Sequence, residues 1–428
     1  MCVLLLLSFR LMGCRLSSRD QITITFLDPQ SSHDLSERSV LADDSLQQFT
    51  RQTGIRVQRP PAPETALDQL DLVRESLRNG TASFDVYGID IIWPAALNEG
   101  LIDLKPYLST ELRSIDPELV ANYTVGGKVV AVPYHPNIGA LYYRADLLLE
   151  YGYSSPPSTW DQLEQMAVRI QRGERAKGQE DFWGFVWPGA AGEGLTCNAL
   201  EWQIGEGGGR IIEADGTISV NNPSAIRSWQ RAAHWVGWIS PPGVTSYEEW
   251  DATEFFLSKK AAFFRGWARS RLSGSEGNEA SPDWVGSSSV PAGNVARVAT
   301  IGGFGLAASR SSAHLNEALR LIRFLVHNEV ELEKVQAGSK SDLRQPRLYD
   351  APNISSQYAH YDLRSDSPKS SLVARPSTTA GTKYEEVARA YIRAVHSVMI
   401  HKTGAHEAAA ALQAELVRIT GFGIGPPH

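Results

Sequence analysis

Apolar and amphipathic segments alternate over residues 21–92, and this order constrains the fold more than any other feature. Residues 21–27 (QITITFL), 55–57 (IRV) and 84–92 (FDVYGIDII) have the β-branched and aromatic content of strands. Between them, apolar residues recur at helical spacing through 40–49 and 67–77. A β-α-β-α-β order predicts a mostly parallel sheet covered by helices. The chain is therefore predicted to be an α/β protein.

Later segments carry further local signals. Thr159 is a suitable N-cap for TWDQLEQMAVRIQ, whose apolar residues fall on one helical face. Residues 315–326 and 384–399 have the same periodicity. Residues 207–223 (GGGRIIEADGTISVNNP) predict a β-hairpin, because their Asp-Gly pair suits a turn that needs positive φ.

Composition limits the class of protein. The 428 residues carry a formal net charge of -7, whereas a nucleic-acid-binding protein needs a basic face. The length is sufficient for two or three globular domains. The chain has three cysteines and no CxxC or Cys/His zinc pattern. Neither disulfides nor structural zinc is therefore predicted to stabilise the fold.

The N-terminus predicts export and a lipid anchor. Residues 3–13 (VLLLLSFRLMG) are too short to span a bilayer as a helix and have the character of a signal-peptide core. The next residue is Cys14, and residues 11–14 (LMGC) are similar to a bacterial lipobox. Residues 1–13 would then be removed and Cys14 lipidated. No basic residue precedes the run and Arg10 interrupts it, so an apolar N-terminus without a signal function remains the alternative.

One carboxylate stands inside an apolar strand. Asp90 lies in FDVYGIDIIWP, residues 84–94, among aliphatic neighbours. Burial of a carboxylate is costly unless it is hydrogen-bonded, so Asp90 needs a partner. That partner is a ligand, a local backbone N–H, or a helix that begins at Pro94 and is capped by Asp90.

Aromatic residues beside turns and glycines are a second candidate binding feature. They are Trp93, Trp183, Trp187, Trp267 and Phe304. Sugar C–H faces pack on such rings, while sugar hydroxyls need carboxylates, amides and guanidinium groups. The alternative is that these rings belong to the hydrophobic core.

Catalytic and metal-binding signals are weak. The sequence has no G-x-S-x-G, HExxH or P-loop motif. His396, His401 and His406 recur at a spacing that does not keep to one helix face, so no metal site is predicted. The adjacent acids Glu248 and Glu249 keep a glycoside hydrolase open as an alternative.

Six segments together form a recognisable pattern: FDVYGIDIIWPAALNEGLIDLKPYL, GGKVVAVPYHPNIGALYYRADLL, PPSTWDQL, GGGRIIEADGTISVNNPSA, EEWDATEFFLSKKAAFFRGWARS and IGGFGLAASRSSAHLNEALRLIRFL. They resemble the sugar-binding proteins of bacterial ABC importers, the extracellular solute-binding family 1 of maltose/trehalose type, over nearly the whole mature chain. The resemblance implies a two-lobed periplasmic-binding-protein fold of type II. Each lobe is a mostly parallel sheet flanked by helices, and the ligand cleft lies between the lobes. Lobe one would hold 20–134 plus 300–350, and lobe two 136–298 plus 352–428.

The resemblance also implies binding residues, position by position. Asp90 falls where a strand-end Asp of the family accepts sugar hydroxyls, and Asn137 falls just after the first crossover between the lobes. Trp267 matches the Trp of an R-x-W motif that is expected to stack on a sugar ring. Glu249 matches the acid eighteen residues before that Trp. Family members need no metal or cofactor.

Further positions follow from the same resemblance. Gly303 and Phe304 match a Gly-aromatic pair at the second crossover, where Trp is commoner in the family. Arg375 matches a late Arg that bridges to sugar oxygens. Asp28 and Ser32, in the loop after the first strand, are weaker candidates. Each stronger candidate also has an alternative without a ligand: a cap or backbone acceptor for Asp90, a solvated acid for Glu249, a surface ion pair for Arg375, a turn residue for Asn137 and a core residue for Trp267.

These residues predict the substrate-binding protein of an ABC sugar importer, which passes its ligand to membrane permease subunits. The predicted ligand is a small α-glucoside: trehalose, sucrose, maltose or glucosylglycerol. We expect a sugar rather than the protein to satisfy Asp90, with water in that role in the empty protein. The protein is expected to be a monomer outside the cytoplasm, lipid-anchored to the membrane and without a nucleic-acid partner. The alternatives are a secreted glycoside hydrolase and a binding protein for a polyamine, iron or an oligopeptide.

Overall fold

A computed structural model describes residues 21–28, 37–63, 66–78, 83–268, 283–327 and 370–426. The predicted signal peptide 1–13, the lipidation site Cys14 and the candidate Ser32 lie outside these residues. Within the described ranges, no helix is long and apolar enough to cross a membrane.

Strands and helices alternate in the N-terminal part, as the sequence predicts. The strands are β1 Thr23–Leu27, β2 Arg56–Gln58, β3 Val86–Asp90, β4 Thr124–Val125, β5 Lys128–Val129, β6 Val132–Arg144, β7 Trp183–Val186, β8 Ala261–Trp267, β9 Val285–Ser289, β10 Arg297–Ala308 and β11 Ser370–Val373. The helices are α1 Glu37–Thr53, α2 Ala66–Arg78, α3 Pro94–Leu97, α4 Ser109–Leu112, α5 Pro117–Asn122, α6 Ala145–Glu150, α7 Trp160–Ala176, α8 Glu193–Gly205, α9 Pro223–Trp235, α10 Glu249–Leu257, α11 Leu315–Val326, α12 Ser377–Ala380, α13 Tyr384–Met399 and α14 Ala405–Thr420. Short 3-10 turns occupy Asn98–Gly100, Pro242–Ser246 and Gly381–Lys383.

The main sheet is mixed. Its nine strands include the path β2-β1-β3-β10-β6-β8-β7, with β11 also paired to β10 and β9 to β6. The pairs β1–β2, β1–β3, β7–β8 and β10–β11 are parallel. The long strands β6 and β10 are antiparallel to each other, and β10 is also antiparallel to β3. The α/β class is thus confirmed, and the sheet is mixed because β6 and β10 traverse it in opposite directions.

Two separate hydrophobic cores lie at opposite ends of these long strands. On β6, Val132 belongs to the core that contains β1 and β3, while Leu141 belongs to the core that contains α7, α8 and α13. On β10, Leu306 belongs to the first core and Val298 to the second. Both strands therefore connect two lobes, and the middle of each strand lies where the lobes meet.

Two local predictions have different outcomes. The hydroxyl of Thr159 accepts a hydrogen bond of 3.2 Å from the Gln162 backbone N–H, so the predicted start of α7 is confirmed. The predicted hairpin is wrong, since residues 207–223, all of them described, contain no strand. The turn itself forms with Gly216 at φ 82, but Ile218 pairs with Ile424 near the C-terminus. A remote segment thus supplies the backbone partner that the hairpin would have had.

Candidate functional site

Asp90 occupies the carboxyl end of β3, opposite Phe304 of β10. Its Oδ1 accepts a hydrogen bond of 3.1 Å from the Ile92 backbone N–H and lies 3.5 Å from Nη2 of Arg375. The expectation that Asp90 has no partner within the protein is therefore wrong, because the chain turns after β3 and brings the Ile92 N–H back to the carboxylate. The side chain does not cap α3, but it remains 20% exposed.

The environment of Asp90 changes its acidity. Burial raises the pKa of this carboxyl group from 3.8 to about 6, although the Arg375 guanidinium and the Ile92 N–H act in the opposite direction. The carboxylates of Glu193 and Glu249 raise the Asp90 pKa further. Asp90 is therefore mostly ionised at neutral pH but gains a proton under mildly acidic conditions.

Arg375 is the cation at the centre of this group. Its Nη1 lies 2.9 Å from Oε2 of Glu193, and the same carboxylate accepts a hydrogen bond of 3.0 Å from the Tyr384 hydroxyl. Burial, followed by the nearby Glu193 charge, raises the pKa of Tyr384, so its hydroxyl remains a proton donor at neutral pH. Arg375 thus joins Glu193 at the start of α8 to Asp90 on β3.

Sequence reasoning missed Glu193 and Tyr384. Both are the first residues of helices, α8 and α13, and an acid at a helix start is usually explained by the helix dipole. Gly192-Glu193-Gly194, at a helix N-terminus, was the only local signal for Glu193.

Glu249 and Trp267 form the second part of the site. The indole Nε1 of Trp267, at the end of β8, donates a hydrogen bond of 2.9 Å to Oε1 of Glu249. Glu249 opens α10 next to the start of α8, where a Cβ built on Gly194 would lie 3.6 Å from Glu249 Cγ. The first turn of α8 therefore joins Arg375 through Glu193 and passes beside Glu249 at Gly194.

Gly303 brings the crossing strands close together. Its φ is +111°, and a Cβ at this position would lie 2.0 Å from the His135 carbonyl oxygen. The neighbouring Phe304 is half-buried and pairs with both Asp90 and His135, beside an irregularity in the β10–β6 register. Only glycine fits here, because the backbone conformation and the space both exclude a side chain.

Asn137 faces the same junction from β6, opposite Gly302 of β10. The residue is buried, and its Oδ1 has no hydrogen-bond partner among the described residues. A buried amide oxygen without a partner is uncommon in proteins and points to water or a ligand.

Asp28 follows β1, which is a parallel neighbour of β3, so Asp28 and Asp90 lie at the same edge of the sheet. Asp28 is buried, and its Oδ2 lies 3.1 Å from Nη1 of Arg59. This ion pair lies within the first lobe, and Asp28 stays a prediction as a binding residue.

Two of the aromatic candidates belong to the core. Trp93 is 4% exposed and packs in the first core, so it supports β3 instead of facing the cleft. Trp187 is fully buried in the second core. Trp267 and Phe304 are the two that are partly accessible beside the crossing strands.

The three candidate histidines are spread over two helices and the turn between them. His396 lies within α13, where its Nε2 is 3.0 Å from the Thr245 carbonyl oxygen, while His406 lies in α14. Across the part of the chain that the structure describes, no group of three or more His, Cys, Asp or Glu side chains is placed to hold a metal ion.

The two-lobed fold and the candidate site between the lobes agree with the family of proteins that the chain resembles. Residues 36–331 match the family of bacterial extracellular solute-binding proteins. The chain is a bacterial extracellular solute-binding protein. A probable ABC transporter-binding protein of Deinococcus radiodurans is 34% identical to this solute-binding protein over 417 residues, or 95% of this chain and 96% of the relative.

Solved structures resemble this solute-binding protein over most of its length. Maltose-bound MalE3 of T. maritima has a TM-score of 0.81 and 29% identity, and the match covers 93% of this chain and 100% of MalE3. A solute-binding protein of Thermotoga lettingae bound with alpha-D-tagatose has a TM-score of 0.79 and 17% identity, covering 94% of this chain and 100% of the other.

These similarities confirm several predictions for the solute-binding protein. The family resemblance and the two-lobed α/β fold are confirmed. The family consists of binding proteins, so the chain is not an enzyme and the glycoside-hydrolase alternative is wrong. The family is extracellular, so the protein works outside the cytoplasm.

Proposed function

We propose that this solute-binding protein captures a small α-glucoside between its lobes and delivers it to the permease of an ABC sugar importer. Trehalose, sucrose, maltose and glucosylglycerol are the proposed ligands. The observation that carries the proposal is the meeting of Asp90, Arg375, Glu249 and Trp267 where β6 and β10 connect the two cores. Such a junction combines charged hydrogen-bonding groups with an accessible aromatic ring, which is the combination that a sugar needs.

Each residue has a proposed role. Ionised Asp90 and Glu249 accept hydrogen bonds from sugar hydroxyls, and such charge-assisted bonds are stronger than neutral ones. The Asn137 Oδ1, which has no partner among the described residues, is a further acceptor. Trp267 stacks on a sugar ring and Phe304 lines the cleft beside it. Asp28 and Ser32 remain weaker candidates.

Arg375 and Gly303 complete the proposed site. Arg375 donates to a sugar oxygen and keeps Asp90 and Glu193 in place. Its Nε has no partner among the described residues and is the atom available for such a bond. Gly303 allows the two crossing strands to approach, so that Phe304 reaches the ligand.

The choice of an α-glucoside has separate support. The similar MalE3 structure is maltose-bound, and its identity of 29% over 93% of this chain exceeds that of the tagatose-binding protein. A non-sugar ligand, such as a polyamine, iron or an oligopeptide, has no comparable support from the described residues.

We further propose how the chain is organised. Lobe one holds 20–134 plus 300–350 and lobe two 136–298 plus 352–428, in agreement with the two cores of the described parts. The mature protein is a monomer that is anchored to the membrane by a lipid on Cys14. Replacement Cys14→Ser is expected to move the protein from the membrane fraction to the soluble fraction, and retention in the membrane would refute the anchor.

Thermal unfolding with and without each sugar tests the ligand. A ligand at 100 times its Kd adds about 2.7 kcal/mol to the free energy of unfolding, because it binds only the folded state. We expect at least one of the four glucosides to raise the Tm. Trp267→Ala is expected to reduce the shift, whereas Trp238→Ala, a partly exposed Trp packed on His234, is the matched control that keeps it in full.

The outcome that would overturn the proposal is specific. If none of the four glucosides raises the Tm while a polyamine, an iron complex or a peptide does, the ligand class is wrong. If a glucoside raises the Tm of wild type and Trp267→Ala equally, the ligand binds outside the proposed site.

A further inference from the structure

A buried ion pair lies beside Trp267 in the second lobe. Arg265 on β8 and Glu201 on α8 have side chains that are 1% and 0% exposed. Nη2 of Arg265 donates to Oε1 of Glu201 at 2.6 Å, and Nε donates to Oε2 at 3.1 Å. The backbone N–H of Thr300 on β10 donates to Glu201 Oε1 at 2.9 Å. The pair is thus fixed by α8, β8 and β10.

Strand β6 has a glycine where it passes this ion pair, and a larger residue would not fit there. A Cβ on Gly139 of β6 would lie 2.1 Å from Glu201 Oε1 and 2.5 Å from Arg265 Nη2. A buried ion pair is often no more stabilising than apolar residues of the same shape, because both charges lose their hydration. Stability alone therefore gives a weak reason for placing two charges here.

The guanidinium of Arg265 contacts the aromatic ring of Trp267. Its Cζ lies 4.4 Å from the ring centroid, in the range of a cation–π contact. A Cβ on Gly302 would lie 3.0 Å from Cη2 of the indole, and Glu249 holds the indole nitrogen. Arg265, Gly302 and Glu249 thus limit the tilt, the displacement and the rotation of the ring.

We propose that Glu201 and Arg265 are positioning residues that hold the Trp267 ring in the orientation for ligand stacking. This inference rests on the proposed function, in which Trp267 stacks on the sugar. Glu201 fixes the guanidinium through two hydrogen bonds, and the guanidinium fixes the ring. A ring ordered before binding spares the ligand the entropy loss of ordering it, which strengthens affinity. Neither positioning residue needs to touch the ligand.

A double-mutant cycle in the full chain tests the inference. Single replacement of Arg265 leaves Glu201 buried and unpaired, so the main variant is Glu201→Gln/Arg265→Met, in which the amide oxygen still accepts from Thr300. We expect this variant to fold and to bind maltose, or the glucoside that raises the Tm most, about tenfold more weakly. In the Trp267→Ala background the same change is expected to have no further effect. Arg265→Lys, which retains the cation, is expected to recover part of the affinity.

Fluorine NMR of 5-fluorotryptophan-labelled protein gives a readout that needs no ligand. The Trp267 signal is assigned by its loss in Trp267→Phe, and we expect it to shift and broaden in Glu201→Gln/Arg265→Met while the remaining tryptophan signals stay in place. Arg175→Met is the matched control, since Arg175 Cζ lies 4.5 Å from the Trp183 ring. It should change the Trp183 signal and leave ligand affinity unchanged.

Each result decides the question. Wild-type affinity in the neutral variant, or an equal loss of affinity in the Trp267→Ala background, would overturn the positioning role. An unchanged Trp267 signal would also overturn it. If the wild-type protein binds no sugar, the proposed function fails, and the Trp267 signal still reports whether Glu201 and Arg265 hold the ring.

Discussion

The Trp267 indole donates its N–H to the Glu249 carboxylate, 2.9 Å away, so an acid at the start of α10 orients a ring at the end of β8. Glu249 is accessible to solvent, whereas Arg375 of the same candidate site is buried. The site therefore combines a rigid, desolvated cation with acids and a ring that remain accessible.

Glu249→Ala is expected to weaken glucoside binding by about 1 kcal/mol, or roughly fivefold, because Trp267 loses a hydrogen bond and the ligand loses an acceptor. Glu249→Gln is expected to lose less, since the amide oxygen still accepts from the indole. Isothermal titration calorimetry measures both. The control is Glu254→Gln, an exposed acid on the same helix. Equal affinity in Glu249→Ala and in this control would exclude a role for the contact.

Ligand binding is expected to weaken below about pH 6. The pKa of Asp90 is raised to about 6, and the proposed acceptor role needs the ionised carboxylate. Linkage then predicts an apparent Kd about tenfold higher at pH 5 than at pH 7.5. Asp90→Asn is expected to bind more weakly and to lose this pH dependence. A wild-type Kd that stays constant between pH 5 and 7.5 would count against ionised Asp90 as an acceptor.

Asp90 is also expected to make the empty protein less stable as the pH rises. Its pKa in the folded chain, about 6, exceeds the ordinary value of 3.8, so between these pH values the folded state holds a proton that the unfolded state has released. The free energy of unfolding therefore falls as the pH rises from about 4 to 6, and the contribution is constant above that. The free energy of unfolding of Asp90→Asn, measured relative to wild type, is therefore expected to increase by about 1–3 kcal/mol between pH 4 and pH 7.5.

Urea unfolding at pH 4, 5, 6 and 7.5 measures this difference. A stability difference between Asp90→Asn and wild type that does not change with pH would contradict the argument.

Gly303→Ala is expected to destabilise the protein by about 3 kcal/mol or more, because the added Cβ meets the His135 carbonyl oxygen and the backbone is strained at φ +111°. The matched control is Gly404→Ala, at a φ of -66° with no atom within 4 Å of the added Cβ. Urea unfolding should separate the two variants clearly. Similar midpoints would show that β10 can move away from β6 at little energetic expense.

Several parts of the fold were predictable because their causes are local. The periodicity of residues 160–170 and the cap at Thr159 depend on neighbours within one helical turn, and both are present. The strands β1, β2 and β3 follow from short apolar runs in the same way. The hairpin at 207–223 failed because its backbone partner, near Ile424, is remote in the sequence.

The same distinction between local and remote causes applies to the candidate site. The spacing of eighteen residues between Glu249 and Trp267 was visible in the sequence, and the structure joins the two side chains. Glu193 was not visible as a site residue, because its partner Arg375 lies 182 positions away and no nearby residue records the pairing.

The sequence by itself determined the α/β class, the first strands, several helices and the family, since short-range periodicity, capping and motif order carry that information. Only the tertiary structure decided that Asp90 has protein partners and an elevated pKa, that Arg375 connects Asp90 to Glu193, and that Arg265 lies against Trp267. Desolvation and charge pairing depend on which remote segments exclude water from a side chain. That arrangement exists only after both lobes have folded around the strands that connect them.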